Sequence, residues 1–207
     1  MNAEILLAFV LSSGVLALSP GPDNIYVLMQ SLVHGVKYGM ATVGGLMTGC
    51  LVHTSLVAFG VSALIRQSPW LFTAIKIFGA GYLFYLAFMV YRSSGQIDLN
   101  EGVPKKKPSA LFVQGFFMNV LNPKVSIFFL AFFPGFLFSD AMNTVGQFYV
   151  LGLLFILVSG IIFSLIAMLA GRISGYLKRH KRSGLVFKWV QIVVFVLIGF
   201  FILLSEN

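Results

Sequence analysis

Two short breaks inside hydrophobic runs constrain this chain more than any other feature. Residues 19–24, Ser-Pro-Gly-Pro-Asp-Asn, interrupt the first apolar run, and residues 122–124, Asn-Pro-Lys, interrupt a later one. Broken backbone inside a bilayer is tolerated only where it is buried in protein or lines a wet cavity. Each break also carries a charge, which costs about 2.5–3.5 kcal/mol at that depth on insertion scales. Matched breaks in two halves of a chain indicate the binding site of a transporter.

Composition and hydropathy predict an integral membrane protein. Hydrophobic residues make up 58% of the chain and charged residues 10%, whereas soluble domains carry about 25% charged residues. A spanning helix needs about 20 mostly apolar residues. The sequence predicts an all-α membrane protein of six transmembrane helices, or of five full ones if the first segment only re-enters the bilayer. The six apolar segments are 5–33, 38–65, 70–91, 110–138, 141–171 and 189–205.

The formal net charge of +8 is unevenly distributed along the chain. Lysine and arginine cluster after the first, third and fifth segments and are almost absent after the other three. This alternation is what the positive-inside rule predicts, so loops 92–109 and 172–188 are expected to be cytoplasmic. The same pattern explains the basic charge without a nucleic-acid partner.

An internal repeat is visible when the two breaks are aligned. Placing Ser19-Pro20 on Asn122-Pro123 brings residues 40–44 close to the register of residues 142–146, and the two stretches share Met, Thr, Val and Gly. The chain then divides into a first three-helix repeat at 1–91, a cytoplasmic connector at 92–109 and a second three-helix repeat at 110–207. Because each repeat has an odd number of spans, the second must be inverted relative to the first, and the broken helices are the first and the fourth.

The residues at the breaks are suited to starting helices. Ser19 and Asn122 are favourable N-cap residues, and Pro20 and Pro123 suit the first helical position. Each break is therefore expected to begin a half-helix whose positive N-terminal end attracts an anion. The alternative is a plain proline kink that only packs against its neighbours.

Asp23 and Lys124 need partners at membrane depth, and two interpretations stay open. They pair with each other across the two halves, or Asp23 binds a substrate amino group or a proton while Lys124 binds a carboxylate. Asn119 lies three residues before Asn122 and either lines the same cavity or makes an interhelical hydrogen bond.

No catalytic or metal-binding constellation is present in the sequence. There is no metal-ligand spacing of His and Cys, no GxSxG and no Walker-type motif, and Cys50 is the only cysteine. No cofactor and no enzymatic activity are expected. Without a nucleotide site, the energy for any pumping must come from an ion or substrate gradient.

These motifs together resemble the LysE/RhtB family of amino-acid exporters. The likeness rests on the run at 19–23, Gly44-Gly45, residues 115–117 leading into Asn119, and the break at 122–124, and it extends over nearly the whole chain. The resemblance implies a bacterial inner-membrane protein that exports amino acids or their derivatives and is driven by the membrane gradient. It also implies that the residues of the two breaks are the functional core.

The sequence does not determine which amino acid would be the substrate. The predicted partners are a small-molecule substrate and membrane lipid, and a homodimer stays open. The alternatives to an exporter are a non-transporting membrane scaffold and a passive channel for small solutes. The candidate substrate-binding or coupling residues are Ser19, Pro20, Gly21, Pro22, Asp23, Asn24, Asn119, Asn122, Pro123 and Lys124.

Overall fold

The structure, a computed structural model, describes residues 3–19, 21–63, 69–93, 103–179 and 183–204. These residues form nine principal helices and no strand. The all-α architecture expected from the apolar segments is therefore confirmed for the described part of the chain.

The first half contains a broken helix followed by two long ones. Its helices are α1 (Ala3–Leu18), α2 (Pro22–His34), α3 (Val36–Leu56, continued by a π-helical turn at Val57–Val61) and α4 (Pro69–Arg92). The axes of α1 and α2 differ by 61°. Gly35 separates α2 from α3 at a φ of 101°, a backbone conformation that side chains other than glycine rarely adopt.

The second half also begins with a broken helix. Its helices are α5 (Pro108–Val120), α6 (Pro123–Ile127, continued by the π-helical Phe128–Phe132 and the 3-10 turn Phe133–Phe136), α7 (Thr144–Met168), α8 (Ala170–Arg179) and α9 (Ser183–Leu204). The bend between α5 and the helix that starts at Pro123 is 49°.

Three stretches of the described chain are long and apolar enough to cross a membrane, and up to five are if each bent pair counts as one span. The three are Val36–Val61, Thr73–Arg92 and Thr144–Met168. Lys188–Leu204, within α9, is a shorter apolar helix. The chain is thus a multi-pass membrane protein, and the sixth span with its inverted-repeat arrangement stays a prediction.

The two broken helices are brought together by close helix crossings. A Cβ added at Gly45 of α3 would collide with the carbonyl of Phe112 on α5, and one at Gly115 of α5 would collide with the carbonyl of Thr42 on α3. The backbones of α3 and α5 therefore touch, as small residues permit between membrane helices. Elsewhere α4 packs on α9, α7 packs on both α3 and α1, and α2 packs on α3.

A cluster of phenylalanine side chains anchors the helix that follows the second break. Phe129 and Phe133 stack with ring centroids 4.1 Å apart, and Phe9 of α1 meets Phe133 edge-on at 5.0 Å. Phe155 of α7 contacts the ring of Phe129 at 5.0 Å. These buried rings tie α6 to both α1 and α7, and so hold the second break beside the first.

Several segments rich in basic residues meet at one end of the helix bundle. His34 at the end of α2 is 2.8 Å from the carbonyl of Val103 in the connector. Lys188 of α9 donates to the carbonyl of Ser93 just after α4 at 2.8 Å. The basic helix α8 packs on α2. The stretches that were expected to share one side of the membrane are thus neighbours in the described structure.

Candidate functional site

The two helix breaks meet in the interior of the protein. The Asn122 Nδ2 atom donates a hydrogen bond to the Asp23 Oδ2 atom at 2.7 Å, across a sequence separation of 99 residues. Only 6% of Asp23 and 9% of Asn122 is exposed. A buried carboxylate needs such a donor because an unpartnered charge at this depth is strongly unfavourable.

The second break has the local structure that the sequence predicted. Asn122 is the N-cap of α6, and its Oδ1 atom accepts the backbone N–H of Lys124 at 3.0 Å. Pro123 occupies the first helical position. The Asn122 side chain therefore makes two bonds, one that starts its own helix and one that reaches the other break.

The first break differs from the prediction. Ser19 is not the N-cap of α2: its N–H donates to the carbonyls of Val15 at 3.0 Å and Leu16 at 3.2 Å, so it ends α1. Gly21 occupies the N-cap position with an extended backbone, and Pro22 begins the helix. Proline suits the first position of a helix, so the sequence offered both Pro20 and Pro22 as starts. The helix α2 begins at Pro22. Pro20 lies outside the described residues.

This correction changes how the two halves correspond. Gly21-Pro22-Asp23 and Asn122-Pro123-Lys124 both consist of an N-cap residue, a proline and a charged residue in the first helical turn. Under the predicted repeat, Pro22 and not Pro20 would be the counterpart of Pro123. Asp23 and Lys124 would then occupy equivalent positions of opposite charge.

Side chains from both breaks donate hydrogen bonds to backbone carbonyls at the end of α1. Lys124 Nζ donates to the carbonyls of Leu16 at 3.1 Å and Ser19 at 2.9 Å. Asn24 Nδ2 donates to the carbonyl of Ala17 at 2.7 Å. The last carbonyls of a helix have no partner within it and carry its partial negative charge. A cation and an amide at this end therefore replace the water that a bilayer interior does not supply.

Asp23 and Lys124 thus bond to different partners in this part of the structure. The carboxylate accepts from Asn122, whereas the ammonium group donates to backbone carbonyls. The Lys124 Nζ atom also lies 5.9 Å from the ring centre of Phe195 on α9. The hydrogen-bonding geometry is that of two separately held charges rather than a closed ion pair.

A cavity of about 30 Å³, lined by both polar and apolar side chains, lies between the breaks. Six of the ten predicted residues line it, namely Gly21, Asp23, Asn24, Asn119, Asn122 and Lys124. A cavity of this size holds about one or two water molecules and no amino acid. An amino acid therefore does not fit in the cavity in this conformation.

The other described members of the predicted set lie away from the cavity lining. Ser19 is buried, and Pro22 and Pro123 are exposed on the helix surface. His53 of α3 lies 3.1 Å from the backbone carbonyl of Asn119, an interhelical contact between α3 and α5.

Ser159 of α7 lines the cavity and was missed by sequence reasoning. It stands in a long apolar helix with no proline or charge beside it. The same helix also contains Ser164, so nothing in the sequence singled out Ser159. Met47, Cys50, Phe155 and Phe163 contribute apolar lining on the same side.

The cavity presents a carboxylate, an ammonium group and amide groups within one small volume. These groups complement a zwitterion, since a carboxylate accepts from an amino group and an ammonium group donates to a carboxylate. No cluster of three or more metal-ligating acids, histidines or cysteines occurs among the described residues.

The broken helices and the charges between them define a multi-pass membrane protein built around a small polar interior site. The family described as LysE type translocator matches residues 14–206. The chain belongs to this family and is a membrane transporter rather than an enzyme. The predicted resemblance is confirmed.

Individual proteins of similar sequence extend this comparison. A homoserine/homoserine lactone efflux protein of Salmonella typhimurium is 34% identical over 182 residues, covering 88% of each chain. A leucine efflux protein of Klebsiella pneumoniae is 28% identical over 177 residues, covering 85% of this chain and 84% of the relative. An uncharacterized membrane protein of Vibrio cholerae is 29% identical over 178 residues. No solved structure matches the chain.

Proposed function

We propose that this protein is a secondary-active exporter of amino acids or amino-acid derivatives in the bacterial inner membrane, coupled to protons. Family membership and the names of two efflux relatives support export of this substrate class. The substrate binds between the two proline-broken helices, and Asp23 carries the coupling proton.

The hydrogen bond between Asn122 and Asp23 is the observation that carries this proposal. It places a carboxylate from one half of the chain against the helix break of the other half, beside the Lys124 ammonium group. Asp23 can take either a substrate amino group or a proton, and Lys124 can take a substrate carboxylate once it leaves the carbonyls of α1. Because the substrate and the proton would compete for the Asp23 carboxylate, binding of one would release the other. This competition would exchange the amino acid for a proton.

Helix packing supports two inverted halves at 1–91 and 110–207, joined by a connector at 92–109. The first helix of each broken pair packs on the long helix of the other half, since α5 packs on α3 and α1 packs on α7. The two long helices α3 and α7 pack on each other, and so do α4 and α9. A pseudo-twofold axis would exchange the α5–α3 contact with the α1–α7 contact and would map each of the other two contacts onto itself. Rocking of one half against the other would then widen the cavity and open it to one side at a time.

The orientation follows from the charge distribution, with loops 92–109 and 172–188 in the cytoplasm. The contacts of His34 with Val103 and of Lys188 with Ser93 support a shared side for these stretches. Substrate would enter the cavity from that side and leave on the other.

A resistance screen tests the proposal and identifies the substrate. The protein is expressed in bacteria that are challenged with each amino acid and toxic analogue in turn, beside cells that express Asp23→Asn to the same level. An exporter raises the tolerated concentration of a particular compound, and the variant does not. A membrane scaffold would give no compound-specific resistance with either protein, and that result would overturn the proposal.

A further inference from the structure

The hydroxyl group of Ser159 is buried and makes no hydrogen bond in the structure. Only 1% of the residue is exposed, and its Oγ atom has no hydrogen-bond partner. Some other helical hydroxyl groups donate to a carbonyl of their own helix: Thr54 Oγ1 donates to the Cys50 carbonyl at 2.8 Å, and Ser126 Oγ donates to the Asn122 carbonyl at 3.1 Å. An unsatisfied buried polar group costs about 1–3 kcal/mol, so the Ser159 hydroxyl needs an explanation.

The Oδ1 atom of Asn119 has the same property in the same cavity. It is buried and has no partner, and Asn119 lines the cavity together with Ser159. The remaining buried hydroxyls without partners, on Ser13, Ser19, Ser31 and Ser62, belong to residues that do not line the cavity. Asp23, Asn122 and Lys124, by contrast, already have hydrogen-bond partners.

The Asn119 Oδ1 atom and the Ser159 hydroxyl group have complementary hydrogen-bonding roles. Asn119 Oδ1 only accepts, whereas the Ser159 hydroxyl can donate. A hydroxyl group placed between them would donate to Asn119 and accept from Ser159. The neighbouring lining of Met47, Phe155 and Phe163 is apolar and suits the aliphatic stem of a side chain.

We infer that Ser159 and Asn119 form a specificity subsite that binds a hydroxyl group on the substrate side chain. This inference rests on the proposed export of amino acids and adds which of them are preferred. The zwitterionic end of the substrate lies at Asp23 and Lys124, and the side chain points toward α7. Amino acids that bear a side-chain hydroxyl are therefore exported in preference to their apolar isosteres, which would leave both polar groups unpaired.

The test compares isosteric pairs in proteoliposomes, homoserine against norvaline and threonine against valine. The wild-type protein is expected to transport at least one hydroxylated member about tenfold or more faster than its isostere, because a site built to bond a hydroxyl discriminates strongly against its absence. Ser159→Ala should reduce that ratio toward one, because it removes the hydrogen bond that only the hydroxylated member makes. Ser159→Thr retains a hydroxyl and should retain the preference.

Ser13→Ala is the matched control, since Ser13 is a buried serine with an unpartnered hydroxyl that does not line the cavity. Its selectivity ratio should equal that of the wild type. Thermal unfolding gives a second measurement, in which the hydroxylated amino acid stabilises the wild-type protein more than its isostere does. This comparison decides the question even if Ser159→Ala does not accumulate.

Equal transport of both members of each pair by the wild-type protein would overturn the subsite and leave the proposed export intact. An unchanged ratio in Ser159→Ala would do the same. Absence of transport for every amino acid would instead refute the proposed export, and the subsite with it.

Discussion

The Asn122 side chain joins the two helix breaks, because its Nδ2 atom donates to Asp23 at 2.7 Å while its Oδ1 atom caps its own helix at Lys124 N. One residue thus fixes the position of the buried carboxylate and the start of the second half-helix. In the proposed rocking of one half against the other, a change in this bond would couple substrate binding to conformational change.

Asn122→Asp separates the two tasks of this side chain. The aspartate keeps an oxygen for the N-cap and loses the donor, and it places a second acid against Asp23. We expect transport to fall about tenfold or more, since a hydrogen bond to a charged group contributes about 1.5–3 kcal/mol. Flux in vesicles at matched protein levels measures this.

Asn143→Asp is the control for that variant. Asn143 is also an N-cap, of α7, and its Oδ1 atom accepts from Gly146 N at 2.7 Å on the exposed surface. Its transport should be unchanged. Equal activity of Asn122→Asp and Asn143→Asp would show that only the cap matters at position 122.

Neutralising either charge should abolish export. Asp23→Asn removes the proton and amino-group acceptor, and Lys124→Ala uncovers the carbonyls of Leu16 and Ser19. Both proteins should still insert and accumulate, which immunodetection in membrane fractions checks.

Exchanging the two charges should not restore transport. In Asp23→Lys with Lys124→Asp, the new acid at 124 would lie against the carbonyl oxygens that Lys124 now binds. Full flux in this double variant would show that the two residues act only as an ion pair.

Much of the site was readable from the sequence because prolines and charges are conspicuous in an apolar run. The N-cap at Asn122 was predicted correctly, since an asparagine before a single proline leaves one way to start a helix. The start of α2 was misplaced because two prolines two residues apart offer two starts. The partners of Lys124 were not predictable, because backbone carbonyls have no sequence signature and these lie more than a hundred residues away along the chain.

Packing details were least accessible from sequence. Gln147 makes four bonds to the backbone of the loop before α7, including Phe138 N at 2.7 Å and Ser139 O at 2.7 Å. Nothing distinguishes this glutamine from a surface residue until the loop has folded around it.

Because α3 and α5 cross in close contact, a single added methyl group at this crossing should lower the stability of the protein. Gly45→Ala would force its Cβ into the Phe112 carbonyl, and overpacking of this kind costs about 1–3 kcal/mol. Thermal unfolding in detergent should show a lower Tm. Gly81→Ala on the open surface of α4 meets nothing within 4 Å and should leave Tm unchanged or slightly raised. Equal Tm values for the two variants would contradict the close crossing.

The orientation can be tested with single cysteines at exposed positions. Native Cys50 is buried and can be replaced by alanine to remove any background. Lys106→Cys and Asp140→Cys are then treated with a membrane-impermeant maleimide applied to intact spheroplasts. We expect labelling at 140 and none at 106, since residue 106 lies in the basic connector that we propose to be cytoplasmic. Labelling at 106 alone would invert the proposed orientation.

Uphill transport with and without an uncoupler tests the central claim most directly. Inverted membrane vesicles are energised and supplied with the radiolabelled amino acid identified in the resistance screen. We predict that the vesicles accumulate it, that an uncoupler abolishes accumulation, and that substrate–substrate exchange continues after uncoupling. Accumulation that persists unchanged with the uncoupler would contradict proton coupling, and no accumulation under any gradient would indicate a passive channel.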